Sequence, residues 1–126
     1  MPVVQHINDE TRPDGCTATA AGSFGVSTAA GRFDCHFHDY AEYWLIHQGK
    51  AKVMSEGEVY YVKPGDIVCT AAGEEHDVLE VYDALEAFYF EDATPEGGRT
   101  GHLHRNEEKA KRHPVPALPI PEDFPG

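Results

Sequence analysis

Between Glu42 and Phe90 the chain alternates short apolar runs with clusters of Gly, Pro, Asp and Glu. The runs are EYWLIH (42–47), AKVMS (51–55), VYYV (59–62), IVCT (67–70), HDVLEV (76–81) and LEAFYF (85–90). Each is four to six residues long and rich in branched or aromatic side chains, and no 3.6-residue period joins them. The segments between them, QGK, EGE, KPGD, AAGEE and YDA, read as turns. This pattern predicts six strands and an all-β sandwich or barrel. The preceding stretch CTATAAGSFGVSTAAGRF, rich in small residues and Thr, is expected to add two or three strands. NEEKAKRH (106–113) is the one predicted helix. HPVPALPIPEDFPG (113–126) holds five of the nine prolines and is expected to be an extended arm, on the barrel or on a neighbouring subunit. The expected organisation is residues 1–30 as N-terminal strands, 31–92 as barrel core and 93–126 as C-terminal arm.

Length and composition narrow the class. A chain of 126 residues with 40% hydrophobic content suits one core. The start, MPVVQHINDETRPDG, lacks the basic and apolar regions of a signal peptide, and no apolar run is long enough to span a bilayer. A cytoplasmic protein without a membrane partner is expected. The formal net charge of -12 would repel a phosphate backbone, so no nucleic-acid partner is expected. Cys16, Cys35 and Cys69 are odd in number and lack paired spacing, which argues against a disulfide framework. All three are read as small buried side chains.

Candidate chemistry sits in CHFHDYAEYW (35–44). Side chains two apart in an extended chain share a face, so His36 and His38 can aim at one point, and Glu42 has the same parity. His76 opens a strand just after the AAGEE turn, where it can face into a barrel. Three imidazoles and one carboxylate suit a first-row divalent ion with open positions for water or substrate. His102 and His104 form a second H-x-H pair, but without a carboxylate or glycine context they are read as loop residues. Parity places Trp44 inside and His47 outside, and Tyr40 at the rim. Tyr60 or Tyr61, and Phe88 and Phe90 or Tyr89, are candidates for further walls, with Trp44, Tyr60 and Phe88 taken as the pocket set.

The stretch HFHDYAEYWLIHQG (36–49) resembles the first cupin motif, and GDIVCTAAGEEH (65–76) resembles the second, with 15 residues between them. The resemblance covers about residues 31–92. It implies a double-stranded β-helix, a jelly-roll barrel, with His36, His38, Glu42 and His76 holding one divalent transition metal ion (Fe, Mn, Zn or Ni) near its open end. It also implies a homodimer. Ala71 stands where the second motif has proline, Glu80 where it has asparagine, and Gly31 is one residue nearer His36 than the pattern expects.

The expected function is a metal-dependent enzyme acting on a small oxygenated substrate, a sugar, hydroxy-ketone or keto acid. Isomerase, epimerase or lyase chemistry would use Glu80 or Tyr40 to move a proton. The alternatives are an Fe(II)-dependent dioxygenase and a non-catalytic module binding a sugar or other small molecule.

Overall fold

The computed structural model describes residues 3–92 and 102–125. Its framework is a long antiparallel ribbon of two strands, β3 (Glu42–Ser55) and β6 (His76–Glu91). Three further strands join the same sheet: β1 (Ala20–Val26), β4 (Glu58–Val62) and β5 (Ile67–Thr70). β1 pairs with the far half of β6. β5 and then β4 pair with successive halves of β3. A second, two-stranded sheet joins β2 (Arg32–Phe33) to β7 (His113–Pro114). The chain therefore has the all-β architecture that the strand pattern implies.

Two expected turns are not turns. QGK and YDA lie opposite one another in the middle of the β3–β6 ribbon, which runs through both of them with register shifts between Ile46 and Lys52. The Gly and Asp signals there mark bulges, which bend a strand without ending it. Gly49 shows why this position needs glycine: its φ is +88°, and a Cβ would lie 2.0 Å from the Ala84 carbonyl oxygen. The ribbon folds over at this bend, so its two ends meet. The other three turns form as expected. Glu56 and Gly57, both at positive φ, close the tight β3–β4 hairpin. Pro64–Gly65 turns between β4 and β5, with the Asp66 amide donating to the Lys63 carbonyl at 3.1 Å. Gly73 turns into β6, and its amide donates to the His38 carbonyl at 2.7 Å.

The core is aliphatic and closely packed, with Ala51, Val53, Val78, Val81, Leu85 and Ala87 fully buried. Of the two or three strands expected in residues 16–33, two form, β1 and β2, and residues 3–19 meet the sheet through the Ile7–Ala21 bridge and through Thr19, whose amide and hydroxyl donate to the Glu91 carbonyl at 3.0 and 2.7 Å. The predicted helix shrinks to a single turn, α1 (Glu107–Ala110), capped by Asn106, whose side chain accepts from the Lys109 amide. Residues 93–101 of the predicted arm lie outside the described residues. The rest of the arm lies along its own barrel. Val115 is buried, the Val81 amide donates to the Pro116 carbonyl and the Leu118 amide to the Val81 carbonyl, both at 3.0 Å, across the Val81–Ala117 bridge, and Phe124 packs on Tyr61 and Tyr82. Cys35 is buried, whereas Cys16 and Cys69 are exposed, contrary to the reading of all three as buried.

Gly49→Ala should destabilise the protein by about 3 kcal/mol, since the new methyl meets backbone at an unfavourable φ. Gly57→Ala, at similar φ but with open space around it, should lose only about 1 kcal/mol. Urea unfolding midpoints of the two variants check this ordering, and equal losses would show that the ribbon bend is soft.

Candidate metal centre

The four motif side chains converge. Ligand atoms of His36, His38, Glu42 and His76 all lie within 4.8 Å of one another, and all four residues are buried. Three backbone features bring them there. His36 and His76 form an antiparallel bridge, exchanging N–H···O bonds of 3.1 and 2.8 Å, which places their side chains on one face. His38 follows two residues after His36 on that face. Glu42 opens β3 at the other end of the folded ribbon, yet its Oε1 is 3.4 Å from His76 Nε2 and its Oε2 is 3.5 Å from His38 Nε2.

Further contacts fix the donors. His36 donates its Nδ1–H to the Asp34 carbonyl at 2.7 Å. Its neutral ring therefore presents a lone pair on Nε2, and that atom is 2.9 Å from His76 Nε2. Trp44 donates Nε1–H to Glu42 Oε1 at 2.8 Å. Burial, and next the charge of neighbouring His76, hold the His36 pKa down at about 3. For Glu42 burial acts upward, but hydrogen bonds from His38 and His76 reverse it and keep the carboxyl well below the usual range. An ionised carboxylate and a neutral imidazole thus coexist inside the barrel. This preformed N/O donor set fits a first-row divalent cation, and these four residues could hold one.

The centre forms part of the wall of an open cavity of about 480 Å³. His36, His38 and Glu42 line it, with Phe24, Phe33 and Trp44 as aromatic walls. Tyr40 also lines the cavity, stacked on His38 at 4.7 Å between ring centroids.

Other expected site residues lie elsewhere. Glu80 is not among the cavity residues. Its carboxylate accepts from Tyr82 Oη at 2.8 Å and meets Lys52 Nζ at 3.5 Å. The parity argument that put it beside His76 fails at a bulge. Val53 pairs with Val78 and Lys52 with Glu80, so Leu79 is an extra residue that shifts the phase. Phe88 is turned outward against His47 for a register reason. Trp44 pairs with Tyr89, which lines the cavity, while Phe88 pairs with Leu45 on the other face. Tyr60, on β4, is half-exposed, donates to Glu58 Oε2 at 2.6 Å and borders a separate hollow beside Ile67 and Cys69.

The structure also gathers residues that were read as bland. Leu103 bridges Phe37 with two backbone bonds of 2.9 Å, which brings His102 and His104 against the centre. His104 Nε2 is 2.7 Å and His102 Nδ1 3.2 Å from Asp34 Oδ2, and the His102 ring stacks on His36 at 3.7 Å. Burial lowers the His102 pKa against the opposing pull of Asp34. Their H-x-H spacing, the same as that of His36 and His38, was the available signal.

The barrel and its buried histidine–glutamate set have the arrangement that the two motifs imply, and known proteins share the fold. Residues 26–82 match the family model of the AraC-like ligand binding domain. The barrel is similar to a cupin 2 conserved barrel protein from Rhodopseudomonas palustris (16% identity, 78% of this chain and 64% of that one, TM-score 0.62). It is also similar to a cupin-2 domain protein from Rhodospirillum rubrum (21% identity, 79% and 64%, TM-score 0.58). Salicylate 1,2-dioxygenase from Pseudoaminobacter salicylatoxidans, as its adduct with gentisate, shares the fold at 14% identity over 73% of this chain and 26% of its own (TM-score 0.57). The chain shares the fold of these cupin proteins. In sequence, the uncharacterized protein y4oW of Sinorhizobium fredii is 38% identical over 71 residues, 56% of this chain. The chain spans about a third of the length of that relative, 33%.

His36→Ala and His76→Ala should each abolish stoichiometric metal, read by elemental analysis, while far-UV circular dichroism stays that of the barrel. Adding Zn(II) or Mn(II) should raise the melting temperature of the unaltered protein, by about 2.7 kcal/mol of stabilisation at a hundred times Kd, and leave both variants unmoved. Full metal content in His76→Ala would remove that residue from the centre.

Proposed function

We propose that this cupin-fold protein is a metal-dependent enzyme acting on a small oxygenated substrate, a sugar, hydroxy-ketone or keto acid, by isomerase-, epimerase- or lyase-type proton transfer. One observation carries the reading: His36, His38 and Glu42, three of the four converging donors, form part of the wall of an open, aromatic-lined cavity, with His76 buried behind them. A purely structural ion would be enclosed, whereas a working one keeps a side accessible. A divalent ion held by His36, His38, Glu42 and His76 supplies Lewis acidity at substrate oxygens. Phe24, Phe33 and Trp44 keep water from one side of the substrate, and Trp44 also holds Glu42 in place through its indole N–H. Tyr40, in the cavity wall beside His38, is the candidate proton carrier. Glu80 loses support in that role because Lys52 and Tyr82 engage its carboxylate outside the cavity.

Two observations favour rival readings. The similarity of the barrel to a salicylate 1,2-dioxygenase favours an Fe(II)-dependent dioxygenase. The match to the AraC-like ligand binding domain favours a module that binds a small molecule unchanged.

The three readings separate in one experiment. Protein loaded in turn with Mn(II), Zn(II) or Fe(II) is incubated in D2O with a panel of sugars, hydroxy-ketones and keto acids, while oxygen is followed by electrode and carbon-bound deuterium by NMR. Deuterium incorporation with any of the three ions and without oxygen uptake is expected. Tyr40→Phe should slow it by about a hundredfold with metal content unchanged. Oxygen uptake confined to the iron form would establish the dioxygenase, and a bound but unaltered ligand the binding module.

A further inference from the structure

The cavity beside the candidate centre carries two arginines that neither the ion nor the proton-transfer reading uses. Arg32 in β2 and Arg112, next to β7, both line it. They are 80 residues apart, and the antiparallel pairing of Arg32 with Pro114 and Phe33 with His113 brings them together. Each guanidinium donates through Nη2 to the backbone carbonyl of the other, at 2.6 Å from Arg32 and 3.0 Å from Arg112. These reciprocal bonds fix both side chains and occupy one nitrogen of each, leaving the remaining N–H groups for a ligand.

Charge makes the pair unusual in this molecule. The chain is strongly acidic, with a net charge of -12, and most described cations sit on an acid. Arg12 meets Asp9, Lys52 Glu80, Lys63 Asp66, Arg105 Glu56, Lys109 Glu75 and Lys111 Glu108. Lys50 instead lies over the Phe124 ring. Among the described residues, Arg32 and Arg112 form no ion pair. Two arginines without a carboxylate partner thus converge on the one cavity that also holds the His–Glu cluster.

We propose that Arg32 and Arg112 form an anion subsite that takes the carboxylate of a small aromatic keto acid, one of the substrate classes proposed above, whose other oxygens reach the His36, His38, Glu42 and His76 centre. The inference deepens the proposed function and rests on it for the metal end of the ligand. Planar guanidinium groups match a carboxylate with paired N–H donors. Phe24, Phe33, Trp44 and Tyr89 provide flat apolar walls, and a cavity of about 480 Å³ suits a single substituted ring. Asp34, Glu42 and Glu91 also border the cavity, so a singly charged head is favoured over a doubly charged phosphate.

The test uses two probes that share a chelating catechol and differ in charge, 3,4-dihydroxyphenylacetate and neutral 4-methylcatechol. Their Kd values are measured by calorimetry on the full chain, zinc-loaded and zinc-free. The acid should bind the zinc form at least about tenfold more tightly than 4-methylcatechol. The Arg32→Gln/Arg112→Gln double variant should erase that preference and leave the 4-methylcatechol Kd unchanged. Because both side chains also tie β2 to β7, the comparison on the unaltered protein decides even where the variant does not fold. Equal affinity for the two probes overturns the subsite and leaves the metal centre standing. If neither probe gains from zinc, the metal reading fails, and the subsite then stands or falls on whether the zinc-free protein still prefers the acid. Tighter binding of phenyl phosphate than of phenylacetate overturns the carboxylate assignment.

Discussion

An ionised carboxylate buried beneath imidazole rings is the constraint around which this molecule is arranged. Removing Glu42 from water is unfavourable by several kcal/mol unless its oxygens find partners. Here those oxygens find the Trp44 indole and the rings of His38 and His76. The same cluster would be improved by a cation, which satisfies the lone pair on His36 Nε2 and the carboxylate together. The donor set is held ready by backbone geometry: the His36–His76 bridge, the Gly73 amide on the His38 carbonyl, and the start of β3. That rigidity favours function over stability, since buried polar clusters contribute little net free energy when the partner they were shaped for is missing.

The C-terminal segment completes the cavity. Leu103 pairs with Phe37, β7 pairs with β2, and the stretch beyond lies along β6. Through these contacts His102, His104 and Arg112 reach a site whose other residues come from the first three-quarters of the chain. Charged contacts reinforce the attachment, with Lys109 on buried Glu75 at 2.8 Å and Arg105 on Glu56 at 3.0 Å. Cys35 beneath this strap is buried, and burial followed by the charge of Asp77 pushes its thiol up to about 12, so it packs as an unreactive side chain.

Much of the fold was legible because period-two patterning and turn chemistry agree with each other. The apolar runs became strands, and EGE, KPGD and AAGEE became turns. The four candidate ligands could be picked out by parity and motif spacing, and the structure brings them together. Parity failed wherever a bulge intervened. Leu79 shifts Glu80 off the His76 face, and the Gln48–Lys50 bulge has the same Gly signature as a turn. Strand register was the other missing piece. Choosing Phe88 over Tyr89 requires knowing that Tyr89 pairs with Trp44, and no local signal carries that pairing. His102 carried an H-x-H signal, but its approach to Asp34, like the meeting of the two arginines, was invisible for a related reason. Both depend on contacts across 68 to 80 residues, set by how the chain returns to the barrel.

The bend at Gly49 has a mechanical meaning. Stretched flat, the β3–β6 ribbon would be about 45 Å long. Doubled over, it puts Glu42 and Trp44 from one extremity beside His76 from the other. The candidate centre therefore forms where the two tips of one hairpin-like ribbon meet, with a glycine as its pivot. A change of side-chain bulk at the pivot would widen or narrow the gap between the tips, so this part of the barrel, remote from any ligand, sets the aperture of the site.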